Sequence, residues 1–253
     1  MADHMPFRWG KDRQNSLPLE RFLPILPSGV VPKFLENTDP EKGYLLMPFG
    51  STPQAAIEAA RAGYKVLAAV NNPITRFLFR SLAYPPTREQ LQSALVRISS
   101  TFKGSQRLEP HILSLYETHC PHCGSSTPAQ AFLWNKKSST PARKYCYCSC
   151  CDDSGEFPVT EEDISQAAAY ENNSLYHARA LTRIAAPNDP VRVHIEKALK
   201  AYPARTVYAL FTLINKIIGL DVSPEERRHL DTLLLHAFLR CITLSNSETA
   251  QAL

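Results

Sequence analysis

The distribution of cysteines constrains this chain more than any other feature of its sequence. Six of the seven cysteines lie between residues 120 and 151, and only Cys241 stands apart. Such clustering, in a chain whose first residues do not resemble a secretory leader, favours metal binding over disulfides. Cys120-Pro121-His122-Cys123-Gly124 reads as a knuckle. Two thiolates two residues apart grip one ion because the intervening turn points both sulfurs inward, and the following glycine lets backbone amides approach them. The partner pair lies in the run from Tyr145 to Cys151. Cys148 and Cys151 repeat the two-residue spacing and are the first choice. Cys146 and Cys150 are the nearest competitors, and His119 and His122 are substitute ligands. Residues 130–134 and 143–145, separated by a turn-rich stretch, form the two-stranded hairpin that a zinc ribbon requires. Free, buried cysteines would not need the repeated spacing, and nothing nearby suggests a thioredoxin-like redox unit.

Upstream, residues 1–40 are rich in proline and read as an extended arm. Residues 44–47 form a short apolar strand, followed by a turn at Pro48, Phe49, Gly50 and Ser51. A helix opens there with Thr52 as N-cap and Pro53 in its first turn, and Gly63 ends it. A second strand covers 65–70, and Asn71-Asn72-Pro73 opens another helix. Strand, helix, strand and helix with short connections describe one right-handed parallel unit. Thr87 begins a capping box for a helix reaching about Lys103. Beyond the ribbon the pattern is helical, with starts at Thr160, Asp189-Pro190, about Ala204 and Ser223-Pro224. The expected organisation is an arm (1–40), an α/β unit (41–116), a zinc ribbon (117–157) and a helical region (158–253).

No run is long and apolar enough to span a bilayer. The N-terminus is polar and charged without an apolar core, so a cytoplasmic location is expected by default. The net charge of +4 permits nucleic-acid binding without requiring it. On the ribbon hairpin, Lys136, Lys137, Arg143 and Lys144 are the candidate phosphate contacts, set against the reading of a solvated charged loop. Trp134 and Tyr145, interleaved with them, either stack on bases or pack the ribbon. His177, His194, His229 and His236 have no legible carboxylate partner and read as ordinary surface or core histidines. Arg227, Arg228 and Arg240 read as solvated helix residues, and Cys241 as buried and inert.

The segment from Tyr44 to Pro53, with Gly63 to Pro73, resembles the AdoMet-binding half of DNA amino-methyltransferases. That family reads Asp-Pro-Phe-x-Gly-Ser-Gly-Thr after a strand, then a helix, then a strand ending Asp-x-Asn-Pro. The order of segments is similar to a subgroup of adenine-specific DNA methylases with an embedded zinc ribbon, in which Tyr-x-Thr-x-Cys-Pro-x-Cys-Gly follows the AdoMet unit. Tyr116-Glu117-Thr118-His119-Cys120-Pro121-His122-Cys123-Gly124 matches that pattern. The C-terminal helices are similar to the subgroup's helical segment, so the likeness touches most of residues 20–245. It implies an α/β fold: a partial Rossmann-like methyltransferase core with an inserted zinc ribbon and a helical C-terminal region. It further implies a cofactor crevice lined by Pro48, Phe49, Gly50, Ser51, Asn71 and Asn72.

The departures from the family pattern are as informative. Its first acid falls on Met47 and its ribose-binding acid on Val70, with Asn71 next door able to replace one hydrogen bond. The glycine turn falls on residues 51–54, where Pro53 lacks an amide donor. The catalytic (Asp/Asn/Ser)-Pro-Pro-aromatic loop, which would clamp a flipped base, is missing, since Tyr84-Pro85-Pro86-Thr87 lacks both the polar residue and the aromatic. Several charge-assisted hydrogen bonds, each worth about 1.5–3 kcal/mol, are thereby lost. The expectation is a methyltransferase-like chain without its own catalysis, acting on DNA with a catalytic or assembly partner, and holding AdoMet more weakly than about 100 μM. Its alternatives are the AdoMet-binding half of a split methyltransferase, adenine-N6 or cytosine-N4 specific, and a purely structural assembly subunit.

Overall fold

The structure is a computed structural model that describes residues 23–24, 26–36, 42–134, 140–171 and 175–241. It mixes helices with parallel and antiparallel sheet, and it divides into two compact units, Met1–Arg88 and Glu89–Leu253.

In the first unit, α1 (Val30–Leu35) precedes β1 (Tyr44–Met47), α2 (Pro53–Arg61), β2 (Lys65–Ala68) and α3 (Pro73–Ala83). β1 pairs with β2 in parallel, with Tyr44 opposite Lys65 and Leu46 opposite Leu67. Side chains alternate across a strand. Leu45 and Val66 therefore share the inner face, where they pack with Leu35, Ala59 and Tyr64. The expected arm over 1–40 contains a helix instead. Pro32 sits near the start of α1, where the missing amide costs little. The buried Glu58 carboxylate of α2 accepts from the Gly29 amide at 3.0 Å and from Gln54 Nε2 at 2.8 Å, tying α1 to α2. Thr52 precedes α2 in extended conformation, but its side chain makes no capping bond. At α3 the cap is complete: Asn72 Oδ1 accepts from the amides of Ile74 and Thr75 at 2.9 and 3.2 Å.

The second unit begins with α4 (Arg88–Ser99), a small hairpin of β3 (Phe102–Lys103) and β4 (Gln106–Arg107), and α5 (Leu108–Ser114). The helix expected to reach Lys103 stops earlier because Gly104, at φ 63°, closes the hairpin turn. A four-stranded antiparallel sheet follows in sequential order: β5 (Glu117–His119), β6 (Ser126–Trp134), β7 (Pro141–Cys148) and β8 (Asp153–Pro158). The expected hairpin is β6–β7. The flanking strands were not expected, and they exist because each cysteine knuckle is itself the turn between two strands. Helices α6 (Glu161–Glu171), α7 (Leu175–Ile184), α8 (Arg192–Leu199), α9 (Ala204–Gly219) and α10 (Pro224–Arg240) complete the described chain. Ser223 and Glu226 form a reciprocal capping box at α10. α8 starts at Arg192 rather than at Asp189-Pro190, and α7 is a separate helix that the sequence pattern did not isolate.

Ala94 and Ile98 of α4, Leu108 of α5, Ile217 of α9 and Leu230 of α10 form one buried cluster. This cluster accounts for the boundary at Arg88/Glu89, where the sequence pattern suggested 116. The apolar sides of α4 and α5 are buried against the C-terminal helices, and Arg97 reaches Glu226 at 3.2 Å. Beside Leu230, His229 is buried with neither ring nitrogen hydrogen-bonded. A buried polar group without a partner is costly, and an apolar residue of similar size removes that cost. His229→Leu is expected to raise stability by about 1–2 kcal/mol, read as a higher urea midpoint at unchanged slope. A lower midpoint would show that the imidazole has an unseen partner. Among the described residues, no helix is long and apolar enough to cross a membrane.

Candidate metal centre

The two knuckles are built alike. In the first, Cys120 N donates to Ser125 O at 2.9 Å and Gly124 N to Cys120 O at 3.0 Å, while Gly124 takes φ 71°. In the second, the residue after Cys151 is Asp152, at φ 57°. Aspartate is one of the few non-glycine residues that tolerates this left-handed region. Tyr147 Oη donates to Asp152 Oδ1 at 2.7 Å and holds the turn. A glycine following the second pair would have made that knuckle as legible in sequence as the first.

The structure brings Cys120, Cys123, Cys148 and Cys151 together, with one sulfur from each and all four within 4.8 Å of one another. Cys120 Sγ lies 3.6 Å from Cys151 Sγ, and Cys123 Sγ lies 3.5 Å from Cys148 Sγ. Disulfide sulfurs would sit about 2.05 Å apart. Four thiolates about 2.3 Å from a tetrahedral zinc ion would sit about 3.8 Å apart. The donor set therefore fits a metal ion such as zinc. Cys146, buried on β7, and Cys150, exposed in the turn, lie outside the group. His119 and His122 also lie outside it: His119 Nδ1 is 3.2 Å from Glu162, and His122 Nε2 is 3.1 Å from Asp153.

Without a metal, Cys123 and Cys151 are driven in opposite directions. Hydrogen bonds from the Ser125 hydroxyl and amide hold Cys123 down to about 6. At Cys151 the Asp153 amide works in the same direction, but desolvation and the three neighbouring sulfurs prevail and push the thiol up to about 12. A positive ion removes this conflict by stabilising all four thiolates together.

Next to the four cysteines lies a buried polar seam. Lys144 Nζ on β7 is 2.9 Å from Asp163 Oδ2 on α6, and it donates to Thr118 Oγ1 at 2.5 Å and His119 O at 3.1 Å. Thr118 Oγ1 donates to the other Asp163 oxygen at 2.6 Å. Lys144 is wholly buried, which corrects its assignment as a phosphate contact: its ammonium is consumed inside the protein. A second buried cation, Arg205 of α9, lies between the rings of Tyr116 and Phe132, 4.7 Å from each centroid, and donates to Leu115 O at 3.0 Å. These two cations join the sheet to the helices. Sequence reasoning missed Arg205 because its aromatic partners are distant in the chain. Of the remaining basic candidates, Arg143 is exposed but ion-paired with Glu156 at 2.6 Å, and Lys136 and Lys137 lie outside the described residues.

The strand ends that should line a cofactor crevice are placed as follows. Pro48, Phe49, Ser51, Asn71 and Asn72 are exposed, and Asn72 Oδ1 is committed to capping α3. Gly50 N donates to Ala69 O at 2.9 Å, drawing the loop after β1 onto the end of β2. A Cβ on Gly50 would meet Val70 Cγ2 at 2.9 Å and Phe79 Cζ at 3.3 Å. The glycine is thus required by the protein's own packing, with a valine and a phenylalanine against its backbone. Comparison with family models, curated proteins and solved structures finds no match.

Proposed function

We propose that this chain is a zinc-holding, methyltransferase-like subunit without its own catalysis, acting on DNA together with a partner polypeptide. The observation that carries the absence of catalysis is the packing at Gly50, while DNA as the target rests on the resemblance of residues 44–73 and 116–124 to the methylase family. Ligands of open α/β sheets bind beyond the carboxyl ends of the strands. Here a hydrogen bond spans that position, and Val70 and Phe79 pack against the loop that should wrap a ligand. Met47 offers no acceptor for an amine and Val70 none for a ribose hydroxyl. The zinc assignment rests on the four-thiolate donor set, which suits a structural ion with no open coordination position.

Calorimetry with AdoMet is expected to give a dissociation constant weaker than about 100 μM, equivalent to less than about 5.5 kcal/mol of binding. Labelled methyl groups from AdoMet are expected to remain unincorporated when the chain alone is incubated with duplex DNA. Micromolar AdoMet binding would favour the AdoMet-holding half of a split methyltransferase, and stoichiometric methyl transfer would make the chain an enzyme. Met47→Asp with Val70→Asp supplies the two missing acids. If that double variant also fails to bind AdoMet, the packing at Gly50 rather than the lost carboxylates is what excludes the cofactor.

A further inference from the structure

The outer face of the β1–β2 pair presents an arrangement that a soluble parallel sheet does not ordinarily show. Tyr44 and Leu46 point outward from β1, and Leu67 points outward beside Leu46 from β2. They are 73%, 67% and 56% exposed, and Phe49, just past the end of β1, is 90% exposed. Parallel sheets are almost always covered by helices on both faces. The inner face here has such a cover in Leu35 of α1 and Ala59 of α2. The outer face has none among the described residues, although its side chains are apolar.

The charges of this unit point to what would cover the face. Among the described residues of this unit, Lys33, Lys42, Arg61, Lys65, Arg76, Arg80 and Arg88 are exposed, against one exposed acid, Glu36, while Glu58 is buried beneath α1. Lys65 stands on the bare face itself, opposite Tyr44, with its Nζ 5.4 Å from the ring centroid. An apolar face that carries Lys65, on a unit with an excess of exposed basic side chains, matches a helix with a leucine stripe and acidic flanks. At the centre of the face the paired Leu46 and Leu67 offer no ring for a base to stack on, which favours a helix over a nucleic-acid strand.

We propose that the outer face of β1–β2 docks an acidic amphipathic helix of a partner polypeptide, held by Leu46, Leu67 and Tyr44 and oriented by Lys65. The proposal rests on the reading of this chain as a partner-dependent subunit and names the kind of partner. A fluorescent peptide of about 18 residues, with leucines at helical spacing and glutamates elsewhere, serves as the probe. Full-length protein should bind it at least tenfold more tightly than a matched peptide carrying lysines, and added salt should weaken the binding. Leu46→Ser with Leu67→Ser should lose at least tenfold, and Lys65→Glu should erase the preference for the acidic peptide. Both changes fall on exposed side chains, and circular dichroism verifies that each variant is folded.

Equal binding of the two peptides would overturn the proposal, as would acidic-peptide binding untouched by the substitutions. So would a concentration-dependent dimer that Leu46→Ser with Leu67→Ser abolishes, because a second copy would then cover the face. Tight binding of a single-stranded oligonucleotide that the same double variant abolishes would assign the surface to nucleic acid instead. None of these outcomes depends on methyl transfer, so a failure here is separable from a failure of the functional reading.

Discussion

Removing the metal is expected to unfold the β5–β8 sheet. Elemental analysis of freshly purified protein should return one zinc per chain, and a strong chelator should abolish the sheet's signal while leaving the β1–β2 unit folded. Structural zinc with four thiolates contributes on the order of 10 kcal/mol or more of folding free energy in small domains. Both inter-strand turns beside the metal are knuckles, and their sulfurs crowd within 4.8 Å of one another. Without an ion, desolvation and the three neighbouring sulfurs oppose the ionisation of Cys151, so the full set of four thiolates is disfavoured. Cys120→Ser should reproduce the chelator's effect, whereas Cys150→Ser, at an exposed position outside the group, should leave the zinc content unchanged. Full zinc retention in Cys120→Ser would show that the ion sits elsewhere.

The second large effect belongs to the Lys144–Asp163 seam. Lys144→Met leaves the Asp163 carboxylate buried without its cation, a change that typically costs about 3–5 kcal/mol. Adding Asp163→Leu removes the stranded charge and should recover part of the loss, although Thr118 then lacks its acceptor. A cost below about 1 kcal/mol for Lys144→Met would mean that water reaches the seam. The pair also sets an acid limit. Burial would raise the Asp163 carboxyl, but the Thr118 hydroxyl, the Thr160 amide and Lys144 together hold it below its ordinary value. A carboxyl depressed in the folded state contributes stability that is present above its unfolded pKa, near 3.9, and is lost as pH falls through the folded value. Urea midpoints measured from pH 6 downward should therefore fall below about pH 4, and less steeply in the double variant.

The alternating strand and helix of residues 44–83 could be read directly, because Pro53, Gly63 and Asn72-Pro73 punctuate the chain and the apolar periods are clean. The pair Cys120 and Cys123 could be read from spacing, and Cys148 with Cys151 as the first choice, but Cys146 and Cys150 stayed in competition until the sulfurs were placed. The burial of Lys144 could not be read. A lysine in a strand between Arg143 and Tyr145 looks solvent-facing until the sheet register and the carboxylate of α6 are known, and that carboxylate is 19 residues downstream. The boundary at Arg88 was hidden for the same reason. α4 is continuous in sequence with the α/β unit, yet Ala94 and Ile98 find their partners in α9 and α10. The packing at Gly50 was also illegible, since a glycine after a strand reads equally as an opening for a ligand or as room for a neighbouring side chain.

The sharing of Lys144 and Arg205 between sheet and helices extends the reach of the metal beyond the knuckles. A ligand that binds only the folded form raises stability by RT ln(1 + [L]/Kd), about 4.1 kcal/mol when its free concentration is a thousand times Kd. Because two buried cations weld the sheet to α6 and α9, that increment is carried by the helical part as well. Zinc supply would then govern abundance: in zinc-poor growth, chains would lose both layers at once and pass to proteolysis, without any change in transcription.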